Sequence, residues 1–361
     1  MLIKSLLLAK ASGGKMQLIE AKSILVAFLM QLGDLVLTTP FLTVLRKAAP
    51  NAKIVYLIDE KWYDIVSKNP DVDEVITVDR KGRDNNFLAL YRYTSKLRSF
   101  DFDYLININP SERCTFLSAF SGAKYKTGST SPLFSMFFDK LIKLNRNMHA
   151  ADMYIDVLTQ LGAETTENQG LKIVASNENI QKADAFYYSE NVKNTDKLIG
   201  FNVGSASMTK RWLPERFAEV ADYVAENGYK PVFFGSTGEL DIVNRIVEKM
   251  KSKSIIATGK LEIGALPPAL KRLSVLITND SGPMHVAISQ SVPIVALYGP
   301  SKPELYGPYK ANKALVVRAE SLCTGCEKRM KHKCDDLKCM YNITTSQVLT
   351  AVDEMLKGDM S

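Results

Sequence analysis

The hydrophobic residues of this chain alternate between short runs rich in β-branched side chains and longer segments in which they recur at helical spacing. The short runs predict buried strands, and the longer segments predict amphipathic helices. Strands that alternate with helices form parallel sheets covered on both faces, so the pattern predicts an α/β protein. Strands are predicted at 24–30, 53–58, 74–78, 103–108, 198–203, 231–234, 275–278 and 293–298, and helices at 35–49, 62–67, 87–99, 152–161, 214–227, 239–251, 283–289 and 344–356.

The alternation is interrupted in the middle of the chain, by a polar stretch at 164–170 and a charged segment at 176–197. The βα units on either side predict two doubly wound, Rossmann-like domains that face a central cleft. In such folds a ligand binds at the carboxyl ends of the strands. The predicted division is an N-terminal extension at 1–22, a first domain at 23–175, a second domain at 176–343 and a final helix at 344–361.

Composition and charge narrow the classes of function. Of the 361 residues, 46% are hydrophobic and 24% are charged, as in ordinary globular proteins. The longest apolar run, at 24–30, is too short to span a bilayer. The net charge of +7 favours anionic partners such as phosphates, nucleotides or acidic lipid headgroups. The sequence has no basic block, zinc-finger pattern or RNA-type aromatic motif, so it does not favour nucleic acid as a partner.

The cysteines indicate the compartment but leave their own chemistry open. Four of the five fall within 17 residues, with the spacing C-x2-C-x7-C-x4-C. Four thiols at this density could bind zinc, pair as disulfides or remain buried thiols, and the spacing does not decide between these. Residues 1–22 predict an amphipathic or frayed extension rather than a secretory signal, so a reducing cytosolic setting is the default. The four clustered residues are Cys323, Cys326, Cys334 and Cys339.

The turn after the first predicted strand carries the candidate catalytic residue. Gly33 permits a tight turn there, and Asp34 follows at the start of a helix that faces the cleft. A carboxylate in that position can accept a proton from an attacking hydroxyl. Aspartate is also common at helix starts because it caps the backbone. On the residues alone, both interpretations of Asp34 stay open.

A loop of the second block, at 204–214, combines small residues with positive charge. Gly204 lets the backbone approach a ligand, and Lys210 and Arg211 bring two cations to the end of a predicted strand. A phosphate suits this composition, although a solvated basic loop would look the same. The sequence therefore predicts a candidate anion site here.

A second loop of the same block, at 279–285, leads from a strand directly into a helix. The backbone N–H groups of Ser281 and Gly282, with the helix dipole, predict an anion site. Asp280 precedes them. His285, in the first turn, either donates to a phosphate or packs as a structural histidine.

Glu239 follows another predicted strand, in the turn at 235–239. Its carboxylate could accept hydrogen bonds from sugar hydroxyls or could favour a helix N-terminus. Neither a G-x-G-x-x-G fingerprint nor a G-x-x-x-x-G-K-[ST] loop occurs in the chain. Nicotinamide dehydrogenases and P-loop NTPases are therefore disfavoured.

Taken in order, these turns resemble those of glycosyltransferase family 9, the ADP-heptose:lipopolysaccharide heptosyltransferases, over about residues 23–357. One motif departs from the family pattern, because Leu213 is inserted where members read Lys-x-Trp-Pro. This departure leaves open whether Lys210 or Arg211 contacts the donor. The motifs that carry the resemblance are L-G-D at 32–34, T-T-P at 38–40, K-R-W-L-P at 210–214, D-S-G-P-M-H at 280–285 and Y-G-P at 298–300.

The resemblance implies a GT-B fold, with an acceptor-binding first domain, a nucleotide-sugar-binding second domain and a last helix that returns to the first domain. It implies inverting transfer of a heptose from ADP-heptose to a lipopolysaccharide inner-core acceptor. Asp34 matches the proposed catalytic base. The residues matched to the donor and its phosphates are Lys210, Asp280, Ser281, Gly282, His285, Gly204 and, more loosely, Glu239.

The same resemblance implies a cytoplasmic enzyme with peripheral contact at the inner membrane. We expect no resident metal or other cofactor, and the sequence does not indicate a divalent cation. Three alternatives stay open: another nucleotide sugar or acceptor, a sugar-nucleotide epimerase of the same fold, and a non-catalytic sugar-nucleotide-binding protein.

Overall fold

Two six-stranded parallel sheets organise the part of the chain that the computed structural model describes, namely residues 16–164, 167–319 and 337–357. The strand orders are β3-β2-β1-β4-β5-β6 and β12-β11-β10-β7-β8-β9, so each half repeats the same doubly wound topology. The strands are β1 Ser23–Ala27, β2 Lys53–Asp59, β3 Glu74–Val78, β4 Tyr104–Asn107, β5 Tyr125–Gly128, β6 Lys140–Leu141, β7 Leu198–Asn202, β8 Lys230–Phe234, β9 Ile255–Ile256, β10 Leu273–Asn279, β11 Ile294–Tyr298 and β12 Ala314–Arg318.

Helices cover both faces of each sheet, which confirms the predicted α/β class. In the first sheet, Ile24 and Val26 of β1 pack in one core cluster, while Leu25 and Ala27 pack in another on the opposite face. The helices are α1 Leu32–Leu37, α2 Thr39–Ala48, α3 Tyr63–Val66, α4 Phe87–Arg98, α5 Glu112–Ala119, α6 Ala150–Gln160, α7 Asn177–Ser189, α8 Pro214–Glu226, α9 Leu240–Val247, α10 Leu266–Leu270, α11 Gly282–Ser289, α12 Pro303–Tyr306, α13 Lys338–Tyr341 and α14 Thr345–Leu356.

The predicted helix at 35–49 is divided into α1 and α2 at Thr38. Pro40 has no N–H to donate and its ring conflicts with the carbonyl four residues earlier, so a continuous helix is disfavoured. The Thr38 hydroxyl contacts the Leu35 carbonyl and the Tyr56 hydroxyl, both at 2.7 Å. The break ends α1 after two turns and leaves it as a separate short helix at the cleft.

The expected return of the last helix to the first domain is wrong. α14 packs on the second sheet and on α8, where Val348 and Val352 join the apolar core of that domain. Polar contacts reinforce this position, since the Tyr223 hydroxyl on α8 donates to Asp353 at 2.9 Å. The apolar stripe that predicted the helix is the stripe that the second domain buries.

Two predicted boundaries also shift. Leu18 and Ala21, expected in a frayed extension, are buried against the first domain, and the Lys22 N–H donates to Asp103 at 2.9 Å. The charged segment at 176–197 contains α7, whose N-cap Ser176 accepts from the Asn179 N–H. Residues 1–15 of the predicted extension lie outside the described residues. No helix in the described ranges is long and apolar enough to cross a membrane.

Candidate active site

Asp34 lies in the first turn of α1, directly beyond the end of β1. The side chain is half-buried at the switch point between β1 and β4, where the crossovers leave the sheet in opposite directions. Burial raises the pKa of Asp34 to about 6; Lys210 partly offsets this rise and Asp280 adds to it. A carboxylate with this pKa is deprotonated at neutral pH and more basic than an ordinary aspartate.

The N-terminal turns of α1 and α11 meet backbone to backbone across the cleft. A Cβ added to Gly282 would lie 3.1 Å from the Gly33 nitrogen, and one added to Gly33 would lie 3.3 Å from the Gly282 Cα. The helix that carries Asp34 and the helix that begins at the predicted anion loop are therefore in direct contact. This contact joins the two domains at the site.

Lys210 and Asp280 form an ion pair on the second-domain side of the cleft. The Lys210 Nζ lies 2.6 Å from the Asp280 Oδ2, and the Ser301 hydroxyl donates to the same oxygen at 2.5 Å. The Ser205 hydroxyl donates to the Asp280 main-chain carbonyl at 3.0 Å. Three loops of the second sheet are thus tied together around one aspartate.

Arg211, the alternative to Lys210, is turned away into the loop. Its Nε and one terminal nitrogen donate to the Ser205 carbonyl at 3.1 and 2.8 Å. The next residue, Trp212, is fully buried, and its indole N–H donates to the Ile343 carbonyl at 2.9 Å. Of the two cations, Lys210 is the one that points at the cleft carboxylates.

The start of α11 lacks a side-chain cap. The N-cap residue Ser281 makes no side-chain bond to the helix; instead its hydroxyl accepts from the Asn202 amide at 2.8 Å. First-turn N–H groups that receive no cap are a ready site for an anion.

His285 is buried in the first turn of α11 beside Gly33. Its Nδ1 has no hydrogen-bond partner within the described ranges. Burial lowers the pKa of His285 to about 4, helped by His149 and Lys210 and opposed by Asp280. The ring is therefore neutral at pH 7, with one N–H available to donate.

Glu239 and Gly204 are packed against each other at the carboxyl ends of β7 and β8. A Cβ at Gly204 would lie 1.4 Å from the Glu239 Oε1, so any larger residue there would displace this carboxylate. The Glu239 Oε2 accepts hydrogen bonds from the Ser236 N–H and hydroxyl, at 2.7 and 2.9 Å. This carboxylate is held in place by its own turn.

Several residues that shape the site were not predicted from the sequence. Ser301 directly follows the Y-G-P motif, which could have drawn attention to it. Asn279 ties two loops, because its amide donates to the Val203 carbonyl at 2.7 Å and its oxygen accepts the Trp212 N–H at 3.2 Å. Tyr154, on the buried face of α6, lies close enough to Asp34 for the carboxylate to help raise the pKa of its hydroxyl. No sequence pattern marks Tyr154.

The first domain also contains a cavity of about 470 Å³. It is formed by the segments that follow β5 and β6, with Lys143 and Arg146 among its lining residues. Arg146 also acts on the Tyr154 hydroxyl, where its charge works against the rise in pKa. The Tyr154 hydroxyl thus responds to a charge that lines the cavity as well as to Asp34.

The cysteine cluster is mostly outside the described residues. Cys323, Cys326 and Cys334 fall in the gap between 319 and 337, whereas Cys339 is buried in the core of the second domain. The described residues contain no group of side chains arranged to hold a metal.

Comparison with known proteins gives the chain a family. The model of glycosyltransferase family 9 (heptosyltransferase) matches residues 90–335, which is more than half of the chain. Lipopolysaccharide heptosyltransferase 2 of Escherichia coli is 23% identical, over 90% of this chain and 95% of its own.

Solved structures agree with the fold. A glycosyltransferase family 9 protein from Veillonella parvula is 46% identical, covers 96% of this chain and 99% of its own, and superposes with a TM-score of 0.88. An Escherichia coli heptosyltransferase in complex with ADP is 17% identical, covers 92% of this chain and 99% of its own, and has a TM-score of 0.72. The GT-B arrangement of two Rossmann-like domains is thereby confirmed.

Proposed function

Since the chain belongs to glycosyltransferase family 9, we propose that it transfers a heptose from ADP-heptose to an inner-core acceptor of lipopolysaccharide. The observation that carries this proposal is that Asp34 lies close to Lys210 and to the uncapped N-terminus of α11. A base from one domain and an anion site from the other face the same point. The names of the full-length relatives support the sugar and the acceptor.

Asp34 is the general base in this proposal. Its carboxylate accepts the proton of the acceptor hydroxyl while that oxygen attacks the anomeric carbon, from the face opposite the diphosphate. A single displacement inverts the anomeric configuration and needs one carboxylate, unlike the carboxylate pair of a glycoside hydrolase. The pKa of about 6 supports the role, because the group is ionised at pH 7 and still basic.

Lys210 and the first turn of α11 stabilise the leaving ADP. The bond from the anomeric carbon to the diphosphate oxygen breaks, and the negative charge that develops there is met by the ammonium and the N–H groups of Ser281 and Gly282. Such preorganised donors act in a site from which water is largely excluded. The neutral ring of His285 would donate its N–H to a phosphate oxygen, and Asp280 would orient Lys210.

Glu239 and Gly204 form the nucleotide side of the proposed donor site. With Oε2 held by Ser236, the other oxygen of Glu239 can accept from a sugar hydroxyl of the nucleoside. The bare backbone of Gly204 lets this carboxylate lie flat against the loop. We assign the cavity with Lys143 and Arg146 to the acceptor, whose anionic groups these two cations would meet.

The remaining parts of the proposal concern cofactor and place. Transfer would need no resident metal, because Lys210 and α11 supply the positive charge that a cation would bring. The enzyme would work at the cytoplasmic face of the inner membrane, in peripheral contact with the lipid that carries its acceptor.

Calorimetry and turnover test the proposal together. ADP-heptose, UDP-glucose and GDP-mannose are titrated into the purified protein, and deep-rough lipopolysaccharide is then added as acceptor. The proposal expects selective binding of ADP-heptose and release of ADP. It also expects Asp34→Ala to keep donor binding and lose turnover. The matched control is Asp64→Ala, which alters the first turn of the short helix α3. Binding of a different nucleotide sugar would replace the proposed donor, and turnover retained in Asp34→Ala would overturn the assigned base.

A further inference from the structure

Five phenylalanine rings form a continuous layer on the surface of the first domain. Neighbouring centroids are 4.9–6.3 Å apart, from the first turn of α4, across α5, to the 3-10 helix Pro132–Phe137. We call this layer and the apolar side chains around it the aromatic patch. Its rings are Phe87, Phe116, Phe120, Phe134 and Phe137.

The aromatic patch projects large apolar side chains into solvent. Phe87 is 70% exposed and Leu133 is 77% exposed, although both are residues that proteins usually bury. Leu88, Tyr91 and Met136 are also more than half exposed. A contiguous apolar surface of this kind marks an interaction site, unlike the single apolar side chains that are scattered over most protein surfaces.

The segment that carries the aromatic patch also carries the positive charge of the chain. Residues 80–146 hold twelve lysines and arginines against five acidic residues, an excess of seven that equals the net charge of the whole chain. The rest of the sequence is therefore neutral in sum. Exposed members of this set include Arg92 and Lys96, on the same helix as Phe87 and Leu88.

The location of the aromatic patch relates it to the active site. Phe87, Phe116 and Leu133 lie in segments that follow β3, β4 and β5, beyond the carboxyl ends of those strands. Asp34 follows β1 at the same edge of the same sheet. An object bound to the aromatic patch would thus lie beside the mouth of the acceptor cavity.

We propose that the aromatic patch docks the enzyme on an anionic bilayer. Aromatic and aliphatic tips that enter the headgroup region, and nearby cations that attract acidic lipids, are the two components of peripheral membrane binding. A second copy of the chain would not gain from this surface, because two copies would bring like charge together. The inference deepens the proposed function by giving its membrane contact a location, yet it is measured without donor or acceptor.

Vesicle flotation tests the proposal with the full chain. Vesicles of phosphatidylcholine alone are compared with vesicles that contain phosphatidylglycerol, at low salt and at 1 M salt. The chain should float with the anionic vesicles and should be largely released at high salt, because the charge component is then screened. Leu133→Ser/Met136→Ser and Arg92→Gln/Lys96→Gln should each lower the fraction bound by about tenfold.

Matched controls separate docking from folding. Tyr188→Ser removes an apolar side chain that is 85% exposed on α7, and Lys253→Gln/Lys271→Gln removes two exposed cations of the second domain. Both should bind vesicles as the unaltered chain does, and thermal unfolding should be the same for all four variants.

Equal binding by all variants would overturn the proposal, as would no binding to anionic vesicles. A dimer in light scattering that Leu133→Ser/Met136→Ser dissociates would reassign the patch to self-association. Vesicle binding without heptose transfer would reject only the proposed function.

Discussion

The ammonium of Lys210 lies 2.6 Å from the Oδ2 of Asp280, an oxygen that the Ser301 hydroxyl also contacts. The lysine is thereby fixed by a neighbouring loop and does not have to become ordered when a diphosphate arrives. A charge held in place before reaction costs no reorganisation at the moment when the leaving group departs. The ion pair therefore positions the cation that the proposed mechanism needs most.

Replacing that cation should slow transfer strongly. Lys210→Ala is expected to weaken ADP binding and to lower kcat/KM on the order of a hundredfold, because one donor to the developing charge is lost. Arg211→Ala is the paired variant, since Arg211 bonds to the Ser205 carbonyl within its own loop. Arg211→Ala should lower the melting temperature and should leave the affinity for ADP nearly unchanged. Calorimetry with ADP that showed equal losses for both variants would contradict the assignment of Lys210.

The pH dependence of transfer should report the titration of Asp34. Its pKa is about 6, and only the ionised carboxylate accepts a proton, so kcat/KM should fall about tenfold per pH unit below pH 6. His285, with a pKa of about 4, stays neutral through this range and does not contribute. A pH profile of the purified enzyme checks this. An acidic limb centred near pH 4 would indicate a base in an ordinary environment.

Asp34 should also reduce the stability of the fold at neutral pH. A folded-state pKa raised from 3.8 to about 6 means that the folded chain binds the proton more tightly than the unfolded chain does. The contribution that protonation of Asp34 makes to the free energy of unfolding is then fully present below pH 4, and it is lost as the pH rises through 6. Asp34→Asn should unfold at a higher temperature than the unaltered chain at pH 7.5, with a difference that shrinks toward zero at pH 4. Calorimetry that showed no such narrowing would contradict the raised pKa, and Asp64→Asn serves as the control.

The backbone contact between α1 and α11 should be sensitive to an added methyl group. Gly282→Ala places a Cβ 3.1 Å from the Gly33 nitrogen, so the facing backbone of α1 must shift by a few tenths of an ångström. Misplacing a base relative to the leaving group is expected to lower kcat/KM by about ten- to a hundredfold. Gly238→Ala is the control, because the nearest atom to its Cβ, the Ser236 Oγ, is 3.9 Å away. Equal kinetics for the two alanine variants would show that this spacing does not matter.

Transfer should continue in the presence of a chelator. The ammonium of Lys210 and the N-terminus of α11 carry the charge stabilisation in the proposed mechanism, so excess EDTA should leave the initial rate of ADP release unchanged. Dialysed enzyme with and without EDTA makes the comparison. A loss of rate that added Mg²⁺ restores would show that a divalent cation takes part.

The sequence predicted the α/β class and the site loops because both depend on local signals. Strand-to-helix turns at Asp34 and Ser281 follow apolar runs that are buried in any parallel sheet, and the topology then brings these turns together. Local signals could not predict which domain α14 packs against. An apolar stripe shows that a helix is buried but not which surface buries it. Tyr154 was missed for a related reason, since a buried tyrosine beside the base looks like any core residue.

Trp212 and the Y-G-P motif both depend on a distant part of the chain. The Trp212 indole donates to the Ile343 carbonyl, and a Cβ at Gly299 would lie 2.3 Å from the Met340 sulfur. Residues 338–343 thus pack behind the loops that carry Trp212 and Gly299, on the donor side of the cleft. During synthesis these residues leave the ribosome after every strand of both sheets. Nascent chains halted before residue 337 would contain both sheets without that support, so the ability to bind nucleotide would arise only when translation of the last helices is complete.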